Sequence, residues 1–180
     1  STQKSYKNHL KSFENISLFT VAPNNIEELN EVFIKAKKEN IFIEAFFMEP
    51  VMGEGNPGQA ITPEFYKRAR ELTQKNGTLL LIDSIQAGLR AHGVLSIIDY
   101  PGFEGLDCPD METYSKALNA GQYPLSVLAM TGKAAELYRS GLYGNTMTTN
   151  PRALDVAIAV LENLSPNIRK NISRIILFTF

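Results

Sequence analysis

Between residues 25 and 39 the apolar positions Ile26, Leu29, Val32, Phe33 and Ala36 fall on one stripe at helical spacing. Asn25 is placed to cap this helix, and Glu27 and Glu28 sit in its first turn, where acids oppose the helix dipole. The pattern then changes. "IFIEAFFM" (41–48) is nearly continuous apolar sequence interrupted by Glu44, which predicts a strand buried on both faces, as in parallel sheets. "EPVMGEGNPG" (49–58) follows as a loop, marked by its glycines and prolines.

"TPEFYKRARELTQKNG" carries a full set of helix signals: Thr62 as cap, Pro63 in the first turn, Glu64 beside it, and Gly77 as the stop. "TLLLI" (78–82) is a second buried strand and ends abruptly in Asp83. Strand, loop, helix, strand is the α/β pattern of a parallel sheet. Further along come a glycine-punctuated segment, the loop "YPGFEGLDCPD" and a short strand "METY" leading to Lys116. "LSVLAM" (125–130) predicts another strand, with a helix from about Lys133 to Tyr138 after it. "GLYGNTMTTNP" is a loop, and Asn150-Pro151 opens a helix to about Leu164 with Ala153, Val156, Ala157 and Val160 on one side. The tail "NIRKNISRIILFTF" ends on an exposed apolar run, which implies that something covers it in a longer chain.

Composition adds bounds. With 180 residues, 44% of them hydrophobic and 21% charged, the chain can bury one substantial core. Lys and Arg number 18 against 19 Asp and Glu, for a net charge of −1, so neither nucleic acid nor an anionic membrane is the expected partner. Cys108 is the single cysteine, which excludes an internal disulfide framework and a multi-cysteine zinc site, and it fits a reducing, cytoplasmic setting. No apolar run reaches the length of a membrane span. His9 and His92 lack ligand-like spacing, and no metal is expected.

Candidate chemistry starts at Asp83, because ligands of open α/β sheets bind beyond the carboxyl ends of strands. Taken alone, Asp83 reads as the cap of the following turn, and Gln86 as a turn residue. Lys116 also follows a strand; a lysine becomes a nucleophile when burial or a nearby cation lowers its pKa, and is otherwise a solvated side chain. Thr146, Thr148 and Thr149 precede a helix N-terminus, where hydroxyls serve equally as caps or as phosphate ligands.

The order of these pieces is more specific than any one of them. "EPVMGEG", "LLLIDSIQAG", "YSKALNAGQYPLS" and "YGNTMTTNP" follow one another over about residues 41–165. This arrangement resembles the class III aminotransferases, pyridoxal-phosphate enzymes whose usual strings look like EPxxGEGG, LLIADEVQTG, xGKALGGGYPLS and GSTFGGNP. The resemblance implies the large domain of a fold-type-I transferase, with a mainly parallel sheet and helices on both faces, truncated at both ends.

It also implies roles. Asp83 matches the aspartate that keeps the pyridine nitrogen protonated, so the ring can take up electrons when a substrate C–H bond breaks. Gln86 matches the glutamine near the 3′-oxygen. Lys116 matches the Schiff-base lysine, both cofactor anchor and general acid/base. Thr146 matches a threonine that binds the phosphate of the neighbouring subunit's cofactor, which implies a homodimer. Glu54 matches a substrate-site glutamate that pairs with an arginine in a C-terminal region. The implied reaction moves an amino group from an amino acid or amine to a 2-oxo acid. A same-fold aminomutase or decarboxylase, and a catalytically silent fragment serving binding or assembly, are the alternatives.

Departures from the family strings are also clear. Ser84 and Ala87 stand where glutamate and threonine are usual, "NAGQYPLS" interrupts a glycine run, and "TTNP" replaces "GGNP". No glycine precedes Gly53, so the family's upstream Gly-rich phosphate loop is not in this chain. The expected organisation is an N-terminal segment with one amphipathic helix (1–40), a cofactor-binding core (41–165) and the start of a C-terminal region (166–180). An organellar matrix replaces the cytoplasm if a transit peptide precedes the chain.

Overall fold

The structure, a computed structural model, describes residues 18–139 and 150–177. Helix α1 (Ile26–Lys38) is capped by Asn25, whose Oδ1 accepts from the Glu28 amide at 3.0 Å. It buries Leu29, Phe33 and Ala36, the stripe its spacing predicts. Helix α2 (Pro63–Asn76) starts at Thr62, whose hydroxyl accepts from the Phe65 amide at 3.2 Å. It stops at Gly77, whose φ of 71° is the left-handed conformation that glycine adopts without strain.

Strands β1 (Ala45–Met48), β2 (Leu79–Asp83), β3 (Met111–Tyr114) and β4 (Val127–Met130) form one sheet in the order β1-β2-β3-β4. β1 and β2 pair in parallel, as do β2 and β3, while β4 returns antiparallel to β3. The sheet is therefore mainly parallel with an antiparallel margin. Register divides its side chains between two faces. Phe46, Met48, Leu80, Ile82 and Glu112 share one face, and Phe47, Leu81, Met111, Asp83 and Thr113 the other.

The first face is the packed one. Leu80 and Ile82 join Leu29, Phe33, Phe65, Tyr66, Ala69 and Leu72 in one core. The second is more open: Phe47 is 65% exposed. This corrects the reading of residues 41–48 as a strand buried on both faces. Only Ala45–Met48 is strand, and it pairs with β2 alone among the described residues, leaving Phe42 and Phe47 in contact with solvent. A continuous apolar run reports that a surface can be covered, not that it is.

Two other boundaries shift. The helix expected over 133–138 is the single turn α3 (Gly132–Ala135), capped by the Thr131 hydroxyl. Helix α4 (Pro151–Asn163) is followed by α5 (Pro166–Leu177), a helix that the sequence patterning did not mark; the exposure expected of the apolar run at the end of the tail lies outside the described residues. α4 buries Ala153 and Ala157, and Ala157 forms a second apolar cluster with Leu89 and Leu118.

At the amino end of the sheet, Asp110 fastens three strands. Its carboxylate accepts from Arg70 Nη1 at 2.6 Å and from the Leu80 amide at 2.8 Å. Its backbone bonds Leu80 on one side and Thr131 on the other. Fixing this end sets the register with which β2 and β3 present their carboxyl ends.

Candidate functional site

Asp83 closes β2 and lies opposite Thr113 of β3. Its Oδ1 accepts from the Ile85 amide at 3.1 Å and from Thr113 Oγ1 at 3.3 Å. The carboxylate does cap the turn after the strand, but with one oxygen. Oδ2 has no hydrogen bond among the described residues and is available to a ligand on the more open face.

Gln86 stands on the turn that Asp83 caps, with its Oε1 accepting from Arg90 Nη1 at 2.8 Å. Gly53, from the loop after β1, lies against it. A Cβ on Gly53 would come within 2.6 Å of Gln86 Cγ, so a larger residue there would displace the Gln86 side chain. The contact brings the two loops to the same end of the sheet. Glu54 is the next residue and is exposed.

Lys116 begins a short 3-10 turn (Lys116–Asn119) directly after β3. Its side chain is exposed, and its backbone φ is 41°. For a residue with a Cβ this left-handed geometry costs about 1–3 kcal/mol, a strain that tends to persist where it directs a functional side chain. Ser115 fixes the approach, its hydroxyl donating to the Leu125 carbonyl. Lys116 and Asp83 therefore project from the carboxyl ends of two adjacent parallel strands, where open α/β sheets bind ligands. Thr146 lies outside the described residues.

The interrupted glycine run has a structural account. Ala120 and Gly121 both take positive φ, 48° and 72°, so the backbone keeps a conformation suited to glycine. Asn119 is buried and works in both directions: its Nδ2 donates to the Ala153 carbonyl at 2.7 Å, and its Oδ1 accepts from the Tyr123 amide at 2.6 Å. It ties the lysine-bearing turn to α4. The asparagine was visible in the sequence, but its partner lies 34 residues away.

Sequence reasoning also missed Glu112. It is 3% exposed on the packed face of β3, with Oε1 accepting from Ser84 Oγ at 2.5 Å and from the Ile97 amide at 3.1 Å. Oε2 accepts from Ser96 Oγ at 2.7 Å. Burial pushes its carboxyl pKa up, and these hydrogen bonds pull the other way without cancelling the shift. Tyr114 lies beside the same carboxylate, and burial together with that negative charge raises its phenol pKa. The only sequence signal was an acid inside a strand too short to declare its buried face.

The arrangement thus offers, at one sheet end, an amide, a carboxylate with one oxygen unbonded among the described residues, and an exposed primary amine. Residues 3–176 match the family model described as Aminotransferase class-III. The chain belongs to the class III aminotransferases. Acetylornithine aminotransferase from Mycobacterium leprae is 38% identical over 122 residues, which cover 67% of this chain and 28% of that protein. Ornithine aminotransferase from Bacillus cereus is 37% identical over 121 residues, 67% of this chain and 29% of that one. This class III chain therefore spans less than a third of the length of these curated relatives.

Solved structures agree on the fold. The ornithine aminotransferase of Toxoplasma gondii superposes with a TM-score of 0.69 at 30% identity, covering 91% of this chain and 38% of that one. The acetylornithine aminotransferase of Elizabethkingia anophelis gives 0.70 at 29% identity, covering 87% and 36%. The mainly parallel α/β sheet and its helices are those of these aminotransferases. The Toxoplasma structure is described as holding pyridoxal phosphate at partial occupancy in its active site.

Proposed function

We propose that the protein containing this chain is a pyridoxal-phosphate-dependent aminotransferase that moves an amino group from an amino acid or amine to a 2-oxo acid. The observation that carries this reading is the pairing of Asp83 and Lys116 at adjacent strand ends, one with a carboxylate oxygen unbonded among the described residues and the other with an exposed amine on a left-handed backbone.

The residues fit the cofactor by their chemistry. Oδ2 of Asp83 can accept from a protonated ring nitrogen, and the bonds from Ile85 and Thr113 fix the direction in which the carboxylate points. The Gln86 side chain, held between Gly53 and Arg90, can bond the phenolic oxygen at the other side of the ring. Lys116 Nζ would hold the cofactor aldehyde covalently and, once displaced by substrate, carry a proton at that same nitrogen to and from the substrate carbon. The bound cofactor supplies the electron sink that stabilises the substrate carbanion. Thr146 would bind the phosphate of a second copy's cofactor, so the working unit is a homodimer, and Glu54 would face the substrate.

Residues 41–165 form the cofactor-binding core in this reading, with 1–40 leading into it and 166–180 opening a C-terminal region. The relatives' names make ornithine and acetylornithine the first donors to test, with a 2-oxo acid as acceptor. A cytoplasmic location accords with the single cysteine; among the described residues no helix is long and apolar enough to cross a membrane.

The test separates the two halves of the reaction. The whole protein, loaded with pyridoxal phosphate, is mixed with donor alone; its yellow band should bleach once, stop, and return when the 2-oxo acid is added. Continued turnover without an acceptor identifies an aminomutase or decarboxylase instead. A band that no amine donor bleaches identifies a silent chain.

A further inference from the structure

Asp83 and Glu112 lie on opposite faces of neighbouring strands. Asp83 faces the more open side, and Glu112 stands behind the site on the packed side, opposite Ile82. Its carboxylate gathers three parts of the chain. Ser84, the residue after Asp83, donates to Oε1; Ser96 donates to Oε2; and the Ile97 amide, where the chain turns back toward the sheet, donates to Oε1. These contacts bracket residues 84–97, the segment that carries Gln86.

The same segment is tight elsewhere. The Gly88 amide donates to the Ser84 carbonyl at 2.7 Å, and a Cβ on Gly88 would lie 2.8 Å from that oxygen and 3.3 Å from the Tyr114 ring. Leu89, at a φ of 62°, bonds back to Val94. A turn this compact, with left-handed residues inside it, needs an anchor. A buried carboxylate receiving hydroxyl and amide donors is a strong one, because removing it orphans every donor at once.

We propose that Glu112 is a positioning residue of the cofactor site: by holding Ser84, Ser96 and the Ile97 amide from behind the sheet, it sets the turn on which Asp83 and Gln86 meet the cofactor. The proposal rests on the function given above. It also accounts for the departure at position 84. Where the family string has glutamate after the aspartate, this chain has Ser84, and the carboxylate that anchors the turn comes from the neighbouring strand.

The test uses Glu112→Leu, Glu112→Gln and the exchange Ser84→Glu/Glu112→Val in the whole protein. Two quantities are read: amide hydrogen exchange without cofactor, and the dissociation constant for added pyridoxal phosphate. Glu112→Leu should speed exchange at Ser84, Gly88, Leu89 and Ala91 by about tenfold or more, the least expected from orphaning buried donors, while leaving the α1 amides unchanged. Its cofactor affinity should fall by a similar factor. Glu112→Gln, which keeps one acceptor oxygen, should lose less of both, and the exchange variant should recover both.

Unchanged exchange and affinity in Glu112→Leu overturn the proposal. So does loss of protection throughout the protein that neither Glu112→Gln nor the exchange variant recovers, since that is the signature of a merely structural residue. A wild-type protein that takes up no pyridoxal phosphate at all refutes the proposed function and this proposal's cofactor half with it. Normal uptake with an unmoved turn refutes this proposal alone.

Discussion

Asp110→Ala tests how the far end of the sheet supports the site. The Arg70–Asp110 pair is largely removed from water, with side chains 11% and 13% exposed and a shortest contact of 2.6 Å. Arg70 Nε is buried with no partner among the described residues, so the guanidinium depends on Asp110 for its compensation. Truncating the aspartate leaves a buried cation unpaired, a change that costs about 3–5 kcal/mol. It also orphans the Leu80 amide, but these losses belong to one network and do not add. A loss of about 4 kcal/mol is a large share of the total stability of an ordinary domain.

Urea unfolding is the assay. At a slope of about 2 kcal/mol per molar, the midpoint of Asp110→Ala should fall by about 2 M. The double variant Arg70→Met/Asp110→Leu should recover most of this, because an apolar pair of similar volume carries no buried charge. A single variant whose midpoint stays within about 0.5 M of wild type would refute the reasoning. So would a double variant less stable than the single.

Other consequences are more local. Tyr66 is fully buried and its hydroxyl donates to the Asp107 carbonyl at 2.8 Å, so Tyr66→Phe should lower stability by about 1–2 kcal/mol in the same assay. Glu112 makes stability depend on pH. Its carboxyl pKa is raised above the ordinary 4.5 by burial, so the native state holds the proton more tightly than the unfolded chain does. Its contribution is complete below the ordinary value and is lost as pH rises through the native one. The groups packed around it, Tyr66, Tyr100 and Tyr114, have phenol pKa values raised by burial and stay neutral in that window. The stability difference between wild type and Glu112→Gln should therefore move against wild type as pH rises from 4.5 toward neutrality, by up to about 1.4 kcal/mol per pH unit; a flat difference contradicts the assignment.

Much of this architecture is legible in the sequence where a local signal has a local cause. Thr62, Pro63 and Gly77 bound α2 because caps and stops act within a turn of their own position. Asp83 at the end of "LLLID" is legible for the same reason. What fails needs information from elsewhere in the chain. The apolar run 41–48 does not say that one face of β1 stays open, since covering it depends on which segments pack there. The four residues of β3 are too few to declare which side Glu112 takes, and its partners come from positions 84, 96 and 97.

The left-handed backbone at Lys116 has no sequence marker, because lysine is not a residue that advertises positive φ. α5 is a different case. Ser165 and Pro166 form a start signal, and the serine hydroxyl accepts from the Ile168 amide at 3.3 Å, so this helix was legible from local residues.

The central claim is that Lys116 is the residue that holds the cofactor. Its most direct test is to incubate the whole protein with pyridoxal phosphate, reduce it with borohydride, digest it and locate the pyridoxyl group by mass spectrometry. The account predicts a single label on Lys116, and none at that position's peptide in Lys116→Ala even though this variant still binds the cofactor reversibly. A label carried by another lysine, or an unlabelled wild-type protein, contradicts it.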